Sequence, residues 1–123
     1  MTINLGFYIG EGPSYEENHG GIKMISKKYI FLYFTENQMF RKEVWHYLDK
    51  PFVASKYFIQ FQQEIKDESK SLLYGNYTTE GNMLIINYKN SMGINEEVLT
   101  ILSPDILINS DLKEFRQQSD IIH

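Results

Sequence analysis

The chain has 123 residues, a formal net charge of −4 and no cysteine. This length supports one hydrophobic core, so we expect a single domain over residues 1–123. The absence of cysteine excludes disulfides and thiolate metal sites. The lysines of this acidic chain are scattered, which argues against a nucleic-acid partner. No apolar run approaches the roughly 18 residues of a membrane span.

The N-terminal part of the chain predicts a strand, a long loop and a second, short strand. Residues 3–10 alternate in a strand-like pattern. They lack the basic start and continuous apolar run of a signal peptide, so we expect no leader in this chain. Residues 11–21 contain Gly12-Pro13 and Gly20-Gly21, which are turn signals, and are predicted to form a loop. Residues 22–25 follow as a short strand.

Two aromatic-rich segments, 28–34 and 39–47, predict a hairpin. A three-residue loop at 36–38 pairs Phe34 with Phe40, whereas a two-residue loop would shift this pairing. With the three-residue loop, one face of the hairpin carries Tyr29, Phe31, Tyr33, Arg41, Glu43 and Trp45.

The periodicity changes after this hairpin and predicts one helix over about residues 51–65. Apolar residues recur there at spacings of three and four, which is the pattern of an amphipathic helix. The residues that carry it are Ala54, Tyr57, Phe58, Phe61 and Ile65. Asp49 is a candidate N-cap, and Pro51 is tolerated in a first turn.

A second hairpin is predicted over residues 72–88, with Glu80-Gly81 as its two-residue loop. Thr79 then pairs with Asn82, and the rest of the register follows. Alternation places Leu73, Gly75, Tyr77, Leu84, Ile86 and Tyr88 on one face, which is the more apolar face and therefore the predicted core face.

The remaining segments complete a mainly β fold. Residues 89–93 read as a linker, 96–102 and 106–109 as strands, and 112–117 as either a last strand or a helical turn. Residues 119–123 are predicted to be a frayed tail. Many short strands joined by tight turns indicate an antiparallel meander that closes or nearly closes into a barrel, with one short helix.

Three stretches resemble small bacterial lipocalin-like domains of the calycin type. GNYTTEGNMLII (75–86) resembles their glycine-tyrosine hairpin, IFLYFTENQMFRKEVW (30–45) their earlier aromatic hairpin, and VLTILSPDILI (98–108) their late hairpin. The match runs from about Gly21 onward, but the family's usual Asp-Gly turn is replaced by Asn37-Gln38. The resemblance implies a barrel of eight to ten strands with a short helix, and it carries no activity with it.

The sequence contains no recognisable catalytic arrangement. His19 is predicted to be solvated in its loop, His46 to lie at a rim and His123 to lie in the tail. We also see no serine-centred elbow, cysteine nucleophile or phosphate-cradling glycine loop. The chain is therefore expected not to be an enzyme and to need no metal or cofactor.

Two glutamates are candidates for acid–base chemistry, which requires two groups across a cleft. Glu43 is expected to pair with Arg41 or Lys28. Glu64 is expected on the solvent side of the helix. Nothing in the sequence brings Glu43 and Glu64 together.

The aromatic residues predict a binding site for a small apolar or amphipathic ligand in the barrel, with Arg41 as its positive charge. The candidate ligand-binding residues are Tyr29, Phe31, Tyr33, Arg41, Trp45, Tyr77 and Tyr88. The alternative is that these side chains simply fill the barrel, which we prefer over an open cavity. A different kind of function is a protein-interaction module, of the inhibitor or immunity type, or a homodimer, formed through an exposed aromatic sheet face.

Overall fold

Over the residues that the structure describes, the protein folds as a closed antiparallel β-barrel with one helix. The computed structural model describes residues 2–69, 72–90 and 93–118, apart from the side chains of residues 89 and 90. Among these residues, the strands are β1 (Gly6–His19), β2 (Ile22–Phe34), β3 (Met39–Tyr47), β4 (Leu73–Glu80), β5 (Met83–Asn90), β6 (Gly93–Ser103), β7 (Ile106–Ile108) and β8 (Glu114–Gln117), and the helix is α1 (Ala54–Lys66). Each strand pairs with the next, and β8 pairs with β1, which confirms the predicted fold class. No helix within the described ranges is long and apolar enough to span a membrane.

Inward-facing side chains fill much of the barrel. Because successive side chains in a strand alternate between its two faces, every second residue points inward. The buried inner cluster consists of Tyr8, Leu32, Phe34, Met39, Leu84, Ile86, Tyr88, Leu99, Ile101, Leu107 and Phe115. At one end, which we call the closed end, the Tyr77 hydroxyl donates to the Thr35 carbonyl at 2.6 Å, and the Tyr8 hydroxyl lies 2.9 Å from the Pro104 carbonyl.

The helix α1 covers the outer face of β1, β2 and β3. Its buried residues Phe58 and Phe61 face outward-pointing aromatic residues of the strands. The ring centroids of Phe7 and Phe58 are 4.7 Å apart, for example. This second cluster lies outside the barrel and buries the outer aromatic face of the first hairpins.

The prediction that residues 11–21 form a loop is wrong. β1 continues through this segment and pairs with β2 up to a turn at Gly20-Gly21, where φ is 60° and 87°. Two successive positive φ values match the type I′ turn that is favoured in two-residue hairpins. The ladder is interrupted around Pro13, which has no N–H to donate and therefore fits a bulge. The two strands predicted at 22–25 and 28–34 are one continuous strand, β2.

The predicted register of the β2–β3 hairpin is also wrong. Phe34 pairs with Met39, so residues 35–38 form a four-residue loop. The Thr35 N–H donates to the Gln38 carbonyl at 2.8 Å, and the Gln38 N–H donates to the Thr35 hydroxyl at 3.1 Å. Because the register moves by one residue, each face of β2 lies beside the β3 residues that the prediction had placed on the opposite face.

The β4–β5 hairpin has the predicted faces but not the predicted pairing. Glu80 pairs with Met83, so the loop is Gly81-Asn82 and the register differs by two residues. Gly81 has a φ of 59° at the first loop position, where a type II′ turn requires a positive value. A shift of two residues leaves the faces unchanged, so Tyr77 and its neighbours face the interior as predicted.

Several element boundaries differ from those predicted. α1 begins at Ala54, and its N-cap residue Val53 makes no side-chain capping bond, so the predicted cap at Asp49 is wrong. β5 and β6 extend to Asn90 and from Gly93 into the predicted linker at 89–93. β8 shows that the last segment is a strand rather than a helical turn. The predicted tail at 119–123 lies outside the described residues.

Candidate functional site

The barrel end opposite the closed end, here called the open end, is extended on one side. β1 pairs with β8 only over Tyr8, Ile9 and Gly10, whereas its ladder with β2 runs on to His19. β3 follows this extension as far as Tyr47. The three strands therefore form a sheet that projects past the rest of the barrel.

An ion-pair cluster lies just inside the open end. Nη1 of Arg41 is 2.9 Å from Oε1 of Glu43, and Nζ of Lys28 is 3.0 Å from the same oxygen. Burial alone would raise the pKa of Glu43, but hydrogen bonds from Lys28 and Arg41 and their two positive charges outweigh it and lower that pKa. The expected pairing of Glu43 with Arg41 or Lys28 is confirmed, with both partners.

Two polar groups near this cluster have unused hydrogen-bonding capacity. The side chain of Arg41 is only 16% exposed, and among its five N–H donors the bond to Glu43 is the one well-formed hydrogen bond within the described residues. Tyr88 is 5% exposed, and its buried hydroxyl makes no well-formed hydrogen bond with a described group, although it lies against the guanidinium of Arg41. Burial raises the pKa of Tyr88 strongly, and the charge of Glu97 raises it further, while the positive charge and the hydrogen bonding of Arg41 lower it. We call Lys28, Arg41, Glu43, Tyr88 and Glu97 the upper lumen.

An exposed aromatic surface lies above the upper lumen on the inner side of the projecting sheet. It consists of Tyr15, Trp45 and Tyr47, which we call the aromatic ledge. Tyr15 and Tyr47 both pair with Ser26 of β2, from opposite sides. The rings of Tyr15 and Trp45 meet edge to face, with centroids 6.3 Å apart. Trp45 is 50% exposed, so half of its surface is open to an incoming group.

The structure divides the predicted ligand-binding residues into three groups. Arg41, Trp45 and Tyr88 lie at the open end, and Tyr77 lies on the same inner face but at the closed end. Tyr29, Phe31 and Tyr33 point outward and pack beneath α1, so their assignment to the face of Arg41 is wrong. The cause is the β2–β3 register: with Phe34 paired to Met39, odd residues of β3 share a face with even residues of β2.

The two described histidines occupy different environments. His19 is exposed, and its Nε2 lies 2.6 Å from Oε2 of Glu17. His46 is buried rather than at the rim, because α1 covers it. Its Nε2 lies 2.9 Å from the Lys50 carbonyl, which only accepts, so Nε2 donates there, and its Nδ1 lies 2.7 Å from the Tyr57 hydroxyl. His123 lies outside the described residues.

Glu64 is not on the solvent side of the helix as predicted. It forms an ion pair with Lys42 in the interface between α1 and β3, where both side chains are largely buried. Its second oxygen, Oε2, has no hydrogen-bond partner among the described groups. Within the same ranges, no cluster of three or more histidine, aspartate or glutamate side chains is arranged to hold a metal ion.

Five residues of the open end were absent from the predicted ligand-binding residues: Lys28, Glu43, Glu97, Tyr15 and Tyr47. Lys28 pairs with Trp45, a relation that a four-residue loop at 35–38 would have indicated. Tyr15 was missed because residues 11–21 were predicted to form a loop, in which no residue has an assigned face. Glu97 follows the same alternation as the buried Leu99, so its inward position was readable from the sequence.

The fold and the open end together define a closed eight-stranded antiparallel barrel, as far as the chain is described, with a helix packed outside it and polar groups inside one end. This architecture is consistent with a lipocalin-like barrel. The chain matches no family model, and comparison with curated proteins and with solved structures gives no significant match.

Proposed function

We propose that the open end of the barrel binds a small amphipathic molecule, as lipocalin-like barrels do. The observation that carries this proposal is a contact inside this end: Arg41, a little-exposed cation with most of its N–H donors unused, lies against the buried hydroxyl of Tyr88. Buried donors without a full set of acceptors cost stability, so a ligand that supplies an acceptor to Arg41 and Tyr88 recovers that cost on binding.

The head group of the ligand accepts hydrogen bonds, and a carboxylate suits it best. Arg41 binds a carboxylate through charge-assisted hydrogen bonds, which are stronger than neutral ones. The formal charges of Lys28 and Arg41 are balanced by those of Glu43 and Glu97, so the preference for an acid arises from the local donors rather than from a net positive field. We therefore expect neutral acceptors to bind as well, but more weakly.

The apolar part of the ligand lies against the aromatic ledge rather than deep in the barrel. Below the upper lumen, Leu32, Leu84 and Leu99 are fully buried and occupy the interior. Trp45 and Tyr15 offer accessible aromatic surface directly outside. This arrangement favours a short ligand with its head group inward and its apolar end outward.

A binding role without catalysis suits the chemistry of this end. A general base works best with a pKa near the working pH. The pKa of Glu43 is lowered instead, and its carboxylate is already engaged by two cations. We propose accordingly that the domain is not an enzyme.

The direct test compares a medium-chain fatty acid with the fatty alcohol of the same chain length. Fluorescence of Trp45, the sole tryptophan of the chain, is followed during each titration. We expect both probes to change the emission and the acid to bind more tightly. Arg41→Gln is expected to lower the affinity for the acid by about tenfold and the affinity for the alcohol much less, since one charge-assisted interaction is lost.

A matched control for the arginine is Arg116→Gln. Like Arg41, Arg116 pairs with a glutamate two residues away on its own strand, Glu114, but it lies exposed on β8. Arg116→Gln is expected to leave the affinities for the acid and for the alcohol unchanged. If neither probe binds the wild-type protein, or if both arginine variants weaken the acid equally, the proposed site is wrong.

A second candidate function is binding of a protein partner at the projecting sheet. The outer aromatic face that suggested an interaction module is covered by α1, but Trp45 and Tyr47 of the ledge remain exposed, together with Ile22 and Leu48. Exposed apolar clusters of this kind mark interfaces. Sedimentation equilibrium tests the homodimer form of this candidate: a Trp45→Ser variant would shift a wild-type dimer toward monomer.

A further inference from the structure

A depression unrelated to the open end lies on the outer surface of the barrel, over β4 and β5. It has a volume of about 490 Å³ and is lined by Asn37, Gln38, Tyr74, Gly75, Asn76, Asn87 and Ile94. Asn76 and Asn87 are cross-strand partners, so their amides lie side by side. Tyr74 precedes Asn76 by two residues and shares its face.

The side-chain amides in this depression are uncommitted. In the described part of the chain, Asn37, Gln38, Asn76 and Asn87 make no side-chain hydrogen bond or ion pair with another residue. Each amide offers two N–H donors and one carbonyl acceptor. None of the lining residues carries a formal charge. The lining side chains therefore present several donors and acceptors without a formal charge of their own, and the charged residues next to them, Lys89 paired with Tyr74 and Glu96 paired with Asn87, have opposite signs.

An aromatic and an aliphatic side chain flank these amides. Tyr74 is 52% exposed, and Ile94 on β6 is exposed as well. An exposed ring beside neutral amides suits a ligand with one apolar face and several hydroxyl groups. A fatty acid fits this chemistry poorly because it offers a single polar end.

We propose that this depression is a second binding site, for a neutral cyclic saccharide. The C–H face of the sugar ring packs on the ring of Tyr74, since such faces are attracted to aromatic π surfaces. Its hydroxyl groups exchange hydrogen bonds with the amides of Asn76 and Asn87 on the sheet and of Gln38 on the β2–β3 loop. The mode of binding is independent of Arg41 and the upper lumen.

The test titrates the ¹⁵N-labelled protein with cellobiose, maltose and N,N′-diacetylchitobiose at millimolar concentrations. Sorbitol is the control ligand, because it carries hydroxyl groups but has no ring face. We expect at least one of the three disaccharides, but not sorbitol, to shift the side-chain amide signals of Asn76 and Asn87. Tyr74→Ala is expected to weaken binding about tenfold, corresponding to the loss of one aromatic contact.

The matched control variant is Tyr15→Ala. Tyr15 is exposed to nearly the same extent, 56%, but belongs to the aromatic ledge at the open end. It is expected to leave saccharide binding unchanged. The proposal is overturned if none of the disaccharides shifts these amide signals, if sorbitol shifts them equally, or if Tyr15→Ala and Tyr74→Ala weaken binding alike.

Discussion

Phe115 occupies the space that a side chain on Gly10 would need. A Cβ atom built on Gly10 would lie 2.4 Å from both Cδ1 and Cε1 of the Phe115 ring. Gly10 and Phe115 are paired residues where β1 meets β8, the pairing that closes the barrel. The ring of Phe115 therefore packs directly over the backbone of Gly10.

The first prediction follows from this contact. Gly10→Ala is expected to destabilise the fold by about 1–3 kcal/mol, since the buried ring must move within a packed core. Gly12→Ala is the control, because its Cβ would be less crowded, with the Cβ of Lys28 as its nearest neighbour at 3.2 Å. Urea unfolding measures both. Equal stability of Gly10→Ala and wild type would mean that the β1–β8 closure is looser than described.

The second prediction concerns the β4–β5 turn. Gly81→Val is expected to cost about 1 kcal/mol or more, because a β-branched residue resists the positive φ of 59° at this position. Gly81→Asn should cost less, since asparagine tolerates such a φ. A Cβ here meets open space, so backbone strain alone is tested. Thermal unfolding that ranks the asparagine variant at or below the valine variant would contradict this explanation.

The strand content and the inner face of β4 and β5 were predictable because apolar alternation survives a register error of two residues. Tyr77 and Leu84 were placed on the core face with the wrong pairing. The same tolerance failed at β2–β3, where an error of one residue moved Tyr29 and Phe31 to the wrong face. The length of the loop decides which residues of β2 and β3 pair. The hydrogen bonds between Thr35 and Gln38 set this length, and a periodic pattern of apolar residues does not reveal them.

Local turn signals misled the prediction for residues 11–21. The segment is rich in glycine and polar residues, yet it forms a hairpin that carries cross-strand ion pairs, such as Lys23 to Glu16 at 2.8 Å. Gly20-Gly21 makes the turn, and Pro13 lies where the ladder is interrupted. Tyr15 was therefore lost from the predicted site, because a residue in a loop has no assigned face.

The third prediction concerns the ion pair between Lys42 and Glu64 beneath α1. Lys42→Met is expected to destabilise the fold by about 1–3 kcal/mol, because it leaves a largely buried carboxylate without its partner. The double variant Lys42→Met with Glu64→Leu is expected to recover most of this loss, since apolar groups then replace both charges. Urea unfolding gives the free energy of unfolding of the single and double variants. A double variant that is less stable than Lys42→Met would contradict this prediction.

The fourth prediction uses the lowered pKa of Glu43. A carboxyl group with a lower pKa in the folded state contributes stability above its unfolded pKa of about 4.3, and this contribution is lost as the pH falls through the folded value. Glu43→Gln should therefore be less stable than wild type at neutral pH, and the gap should narrow below about pH 4. Glu80→Gln, at an exposed position of β4, is the control and should show no such gap. A gap for Glu43→Gln that is constant with pH would exclude the ion pairs as its cause.

The fifth prediction concerns the aromatic ledge. Trp45→Leu is expected to lower the affinities for the fatty acid and the fatty alcohol alike, by about tenfold. The reason is that the lost aromatic contact is made to the apolar part, which both ligands share. Calorimetry is the measurement, since this variant has no tryptophan to report binding. Because Trp45 is half exposed, its replacement should change the free energy of unfolding little.

Leu102→Ala is the matched control for the ledge. Leu102 is also about half exposed and apolar, but it lies on β6 on the outer face of the barrel, away from the open end. If both variants leave the affinities unchanged while Arg41→Gln still weakens the acid, the ligand is held by its head group alone. If Trp45→Leu weakens the acid but not the alcohol, the residue acts through the upper lumen and not as an apolar surface. Equal weakening of both ligands by Trp45→Leu, with none by Leu102→Ala, is the result that the structure predicts, because the ring of Trp45 stands above Arg41 on the same face of β3.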